Sequence, residues 1–68
     1  MKISARNVFK GKITEVTKGA TTAHVKIDVG GMVVTSSITN AAVDDLRIAV
    51  GKEAYAVIKA TDVMIGTD

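Results

Sequence analysis

Ala23-His24-Val25-Lys26-Ile27-Asp28-Val29 is the stretch on which the reading of the fold turns. Ala23, Val25, Ile27 and Val29 alternate with His24, Lys26 and Asp28, the period of a strand that buries one face and wets the other. Gly30-Gly31 follows and supplies the positive φ of a tight turn. Met32, Val33, Val34 and Ile38 then make a third strand, whose Ser36-Ser37-Ile38-Thr39 end is unusually polar for a core element. On the other side, Lys18-Gly19-Ala20-Thr21 carries the glycine that a hairpin connection requires. The residues before it, Asn7 to Lys18, read as a long first strand with Phe9, Gly11 and Ile13 on one face. Val16 falls on the opposite parity from Ile13, so a bulge or sharp curl is expected around Gly11, where a strand can also admit another backbone at close range.

Beyond Thr39, Asn40 is placed to cap a short helix over Ala41 to Arg47, with Val43 and Leu46 on its inner face. Asp44 and Asp45 are exposed there and read as charges suited to a helix start. A helix of about two turns has to be held by packing. Gly51-Lys52 is a turn, Ala54 to Lys59 alternates as a fourth strand, and Val63 to Ile65 gives a short fifth. The expected class is all-β, a five-stranded closed barrel like the oligonucleotide/oligosaccharide-binding (OB) fold, with one short helix between strands 3 and 4. Residues 1–68 are read as one domain, since a chain of this size buries only about 60% of its unfolded surface and has little material for a second core.

The 68 residues contain no cysteine, so neither a disulfide framework nor a thiolate metal cluster can staple the fold. A hydrophobic fraction of 47% in so short a chain leaves apolar surface that association with further copies would cover. A homo-oligomer is expected. No apolar run approaches the roughly 18 residues of a membrane span, and MKISARNV lacks the apolar core of a signal peptide. The expected setting is the cytoplasm, with no membrane partner. Nine Lys and Arg against seven Asp and Glu give a net charge of only +2, weak for a phosphate-backbone binder. Phe9 and Tyr55 are the only aromatic residues, too few for the stacking platforms of a single-stranded nucleic-acid barrel. That rival, and a ligand-free interaction module, are the alternatives to the reading below.

Enzymatic chemistry finds no foothold. His24 is the only histidine and falls on the solvated face of its strand, without a second His or a Cys to share a metal. No metal-ion ligand set is expected. What stands out instead are hydrogen-bond donors grouped with cations at strand ends: Ser4-Ala5-Arg6-Asn7, Ser36-Ser37-Ile38-Thr39 and Lys59-Ala60-Thr61. Arg and Lys supply charge, while hydroxyls and free backbone N–H groups supply directed donors, the combination that suits a small oxyanion. These segments carry no carboxylate, which would repel a fully deprotonated anion; a donor-only site favours molybdate, tungstate or sulfate over hydrogen phosphate.

SARNVFKGKI at Ser4 to Ile13, SSIT at Ser36 to Thr39 and LRIAVGKEAYAVIKATDVMI from Leu46 to Ile65 occur in an order and spacing that resembles the molbindins, the molybdate-binding Mop domain family. The resemblance covers essentially the whole chain. It implies an OB-like barrel, assembly as a hexamer built as a trimer of dimers, and molybdate or tungstate bound between subunits for storage. Carried onto this sequence, it points to Ser4, Arg6, Thr39, Lys59, Ala60 and Thr61 as the oxyanion-binding residues, drawn from more than one subunit. Arg6 and Lys59 would balance the dianion, Ser4, Thr39 and Thr61 would donate hydroxyls, and Ala60 only its backbone N–H. Asn7 reads as structural. Ala42 stands where some relatives place a hydroxyl.

Overall fold

The computed structural model describes residues 1–68. Four strands, β1 (Asn7–Lys18), β2 (Thr22–Asp28), β3 (Val33–Thr39) and β4 (Glu53–Ile58), form one antiparallel sheet in the order β3-β2-β1-β4. A six-residue helix, α1 (Asn40–Asp45), separates β3 from β4, and a single 3-10 turn spans Ala60–Asp62. β1 serves two partners. Its first half pairs with β4 from Asn7↔Ile58 to Lys12↔Glu53, and its second half pairs with β2 from Lys12↔Asp28 to Lys18↔Ala23. One long strand therefore curls the sheet into an OB-like half-barrel.

The curl has two local causes. The β1–β2 register shifts between Ile13 and Glu15, so the bulge lies past Gly11, where the parity of the apolar residues changes, and not at the glycine itself. Gly11 has the other role read for it. A methyl group there would overlap the Asp28 carbonyl oxygen and sit 2.8 Å from Val29 Cγ1, so β1 and the end of β2 approach each other only across a residue without a side chain.

The core is small. Ile13, Ala23, Val25, Ile27, Val43 and Ala56 make one buried cluster, flanked by partly buried Val16, Val34, Ile38, Ile48 and Ala54. The alternation of β2 is seen directly, with Ala23, Val25 and Ile27 buried and Thr22, His24 and Lys26 exposed. Val43 is the one residue that α1 buries, which is what holds so short a helix in place.

The structure corrects the expected fifth strand and the expected closure. Val63 to Ile65 forms no strand, and β3 and β4 do not pair, so the barrel is open rather than five-stranded and closed. After the 3-10 turn only Val63 returns to the body, beside Phe9, Met32 and Ile58, while Met64 and Ile65 are 91% and 88% exposed. Three apolar residues in a row lack the alternation that would fix one face inward. The gap between β3 and β4 is an apolar cleft of about 450 Å³ walled by Val34, Ile38, Ala54, Ala56 and Ile58, with Ser36 among them.

The helix start is also different. Thr39, not Asn40, is the N-cap: its Oγ1 accepts the Ala42 N–H at 3.0 Å. Asn40 instead ties the β1–β2 turn to the helix, its N–H donating to the Thr21 carbonyl at 2.9 Å and its Nδ2 to the Gly19 carbonyl at 3.0 Å. Asp44 and Asp45, read as helix-start charges, lie in the last turn, because the helix ends at Asp45 rather than Arg47. An anion there opposes the helix dipole, and Lys18 Nζ offsets it at 2.7 Å from Asp44 Oδ1.

Arg47 ends the helix in the left-handed region, with φ 54°. The Ile48 N–H reaches back to the Val43 carbonyl at 2.9 Å and the Arg47 N–H to Asp44 at 3.1 Å, a Schellman closure with a non-glycine residue at its left-handed position. Lys52 Nζ donates to the Leu46 and Arg47 carbonyls at 2.9 and 3.0 Å, satisfying acceptors the helix leaves free.

Candidate functional site

The end of the β1–β4 ladder sets the geometry of the site. Asn7 stands opposite Ile58, and its Nδ2 donates to the Ile58 carbonyl at 3.2 Å, closing the ladder with a side-chain staple. This is the structural role read for Asn7. Arg6 precedes Asn7 and Lys59 follows Ile58, so the antiparallel register makes these two cations neighbours at one corner of the sheet. The approach to Arg6 is anchored by Ala5, which is buried, while Ser4 and Arg6 on either side of it are exposed.

Lys59 is extended, with φ −66° and ψ 142°, and leads into the 3-10 turn, where its carbonyl accepts the Asp62 N–H at 2.9 Å. The N–H groups of Ala60 and Thr61 open that turn and have no acceptor within it. Lys59, Ala60 and Thr61 are all exposed. Ser4, Arg6, Lys59, Ala60 and Thr61 therefore occupy two adjoining segments at one end of the sheet.

Thr39 is elsewhere. It pairs with Thr22 at the far end of β2–β3, beside the Lys18 end of β1, whereas Arg6 adjoins the opposite end of that twelve-residue strand. Its oxygen accepts the Ala42 N–H, which leaves its hydroxyl proton free to donate outward. One chain thus brings five of the six residues to one end of the sheet and leaves the sixth at the other.

Arg6 and Lys59 are among five cations whose side chains are unpaired, with Lys2, Lys12 and Arg47, and they are the two that the β1–β4 register sets side by side. Lys10 pairs with Glu53 at 3.1 Å, Lys18 with Asp44 at 2.7 Å and Lys26 with Glu15 at 3.3 Å. Lys52 is occupied by the two carbonyls of the helix end. Arg6 and Lys59 have neither an ion pair nor a side-chain hydrogen bond, although Asp62 is only three residues from Lys59. Asp62 is the one carboxylate that borders this corner, immediately after the segment read from the sequence as free of them. Two unpaired cations, with hydroxyl and N–H donors beside them, can neutralise and orient a small dianion.

His24 lies on the exposed face between Thr17 and Ser37 in the β1–β2–β3 register, as the alternation implied. No group of three His, Cys, Asp or Glu residues is arranged to hold a metal ion. No helix is long and apolar enough to cross a membrane.

A β half-barrel with donor-rich strand ends and one short helix defines the class, and comparison with known proteins gives the family. Residues 3–65 match the TOBE domain, and the chain belongs to the TOBE domain family. The resemblance to the Mop proteins is borne out. The chain is 54% identical over 69 residues to a probable molybdenum-pterin-binding protein of Haemophilus influenzae, covering all of both chains. Its fold superposes on MopII of Clostridium pasteurianum with a TM-score of 0.91 at 45% identity, over 97% of this chain and 100% of that one. A molybdate-binding protein from Sporomusa ovata gives a TM-score of 0.93 at 33% identity, over 98% and 100% of the two chains. These relatives are binding proteins, not enzymes.

Proposed function

We propose that residues 1–68 form a Mop domain that binds and stores molybdate or tungstate in the cytoplasm for molybdenum homeostasis. The observation that carries this reading is the juxtaposition of Arg6 and Lys59, both without a carboxylate partner, at the corner where Ser4, Ala60 and Thr61 offer further donors. Molybdate and tungstate are dianions of nearly the same size and charge, so the same donors serve both. Relatives described as molybdenum- or molybdate-binding support the choice of ligand.

Thr39 completes the donor set from another subunit, so the working unit is a homo-oligomer, a hexamer built as a trimer of dimers, with its sites between subunits. The large share of apolar residues left exposed, Leu46, Val50 and Tyr55 among them, supports association. Equilibrium dialysis of the purified protein against molybdate, with elemental analysis, tests the reading. Saturable molybdate uptake that excess phosphate does not displace is expected. No molybdenum above the buffer level overturns it.

A further inference from the structure

One side chain binds the β1–β2 turn to the start of α1. The Asn40 N–H donates to the Thr21 carbonyl at 2.9 Å and its Nδ2 to the Gly19 carbonyl at 3.0 Å, while the Gly19 N–H donates to the Thr22 carbonyl at 2.7 Å. Thr22 stands opposite Thr39 in the β2–β3 ladder. Asn40, Gly19, Thr22 and Thr39 therefore form a closed circuit, with Thr39 joined to Asn40 along the chain and to Thr22 across the strands.

The Asn40 carboxamide adds little to the stability of the fold. Its backbone bond to Thr21 needs no particular side chain, and the helix cap belongs to Thr39. The Nδ2 bond goes to Gly19, an exposed residue whose carbonyl water can serve as well. Against that bond stands Asn40 Oδ1, which is buried and has no donor. Turning the carboxamide over does not relieve it, since oxygen would then face the Gly19 carbonyl. A buried acceptor left without a donor costs at least as much as a neutral hydrogen bond returns. The side chain is explained by what it aligns.

We infer, on the anion-binding role proposed above for Thr39, that Asn40 is a positioning residue: it holds the β1–β2 turn against the first turn of α1 and so fixes the direction of the Thr39 hydroxyl. β3 is an edge strand, so Thr39 has a partner strand on one side only, and the rung that holds the chain beyond it is the Asn40–Thr21 bond. Thr39 Oγ1 accepts the Ala42 N–H at 3.0 Å, so the direction left to its proton follows the placement of α1. That helix has six residues and buries only Val43, which gives it little resistance to rocking by packing alone. Its other tie to the β1–β2 turn, Lys18 to Asp44 at 2.7 Å, is solvent-exposed and lies at the end remote from Thr39. Asn40 anchors the end that carries the donor.

A double-mutant cycle of Asn40→Ala and Thr39→Ala tests this, with calorimetric titration of molybdate, urea denaturation and amide hydrogen exchange as readouts. Asn40→Ala is expected to leave the urea midpoint unchanged, to speed exchange at the Ala42 N–H about fivefold and to weaken molybdate binding about fivefold, the worth of one neutral hydrogen bond. Because Asn40 acts through Thr39, adding Asn40→Ala to Thr39→Ala is expected to weaken binding no further. Losses that add in the double variant, or unaltered exchange and affinity in Asn40→Ala, overturn the positioning role. A midpoint that falls in step with affinity also overturns it, by making Asn40 structural only. Should Asn40→Ala not fold, Asn40→Ser, whose hydroxyl is too short to replace the reach to Gly19, takes its place in the cycle. If the unaltered protein takes up no molybdate, faster Ala42 exchange in Asn40→Ala still supports the hold on Thr39, and the anion reading alone fails.

Discussion

Asn7 and Ile58 stand opposite each other at the last rung of the β1–β4 ladder, and the carboxamide of Asn7 donates to the Ile58 carbonyl at 3.2 Å. That rung aligns Arg6 with Lys59. Local sequence does not pair residues more than fifty positions apart; the register does.

Removing either cation should weaken the anion site by the value of a charge-assisted hydrogen bond, about 1.5–3 kcal/mol for Arg6→Ala and similarly for Lys59→Ala. Asn7→Ala removes only the staple and should cost less, about 1 kcal/mol of affinity, through looser alignment. Calorimetric titration with molybdate measures all three. Equal affinities for Arg6→Ala and the unaltered protein would remove Arg6 from the site.

Gly11→Ala should destabilise the fold by about 1–3 kcal/mol, because the new methyl overlaps backbone that cannot yield without moving β2. Urea denaturation gives the value. A variant with the same midpoint would mean that β1 and β2 part easily at this point.

Arg47→Gly should act in the opposite direction. Arg47 holds φ 54° at the helix C-terminus, where glycine has no Cβ penalty, and a gain of about 0.5–1 kcal/mol is expected once the greater backbone entropy of glycine is deducted. The denaturation midpoint should rise. A fall would show that the arginine side chain makes a contact important to the assembled protein.

The hydrogen bond to Glu53, followed by that carboxylate's charge and the nearby Tyr55, raises the Lys10 ammonium above the ordinary lysine value of 10.5. A raised folded pKa stabilises the fold fully below the unfolded value and loses that contribution as pH climbs through the folded value. The alkaline limb above pH 10.5 is therefore where stability should decline on this account. Titration of the Lys10 side chain by NMR should show a midpoint above 10.5 that moves back toward it in Glu53→Gln. An identical midpoint in both proteins would refute the pairing.

The extended elements were readable in the chain because strand period and turn chemistry are local. Ala23, Val25 and Ile27 alternate with polar residues and are buried; Gly30 and Gly31 have φ 79° and 94° in the turn their sequence called for. The donor clusters were readable as residue types, but their arrangement was not. Parity showed that β1 changes face between Ile13 and Val16, yet only pairing with β2 puts the bulge between Ile13 and Glu15. Asn40 is by residue type the better cap, yet the β1–β2 turn engages it and leaves the cap to Thr39.

By itself, the sequence determined that this protein is a small β-sheet with one helix, a member of the Mop-like TOBE proteins, and rich in oxyanion donors at its strand ends. Tertiary structure alone decided that the sheet stays open between β3 and β4, that the β1–β4 register aligns Arg6 with Lys59, and that Thr39 lies at the other end. The physical reason is that strand formation follows from the alternation along a few residues, whereas register, closure and the meeting of distant side chains depend on which strand edges pair. β1 divides its length between two partners, so its two ends, and the donors beside them, are carried apart.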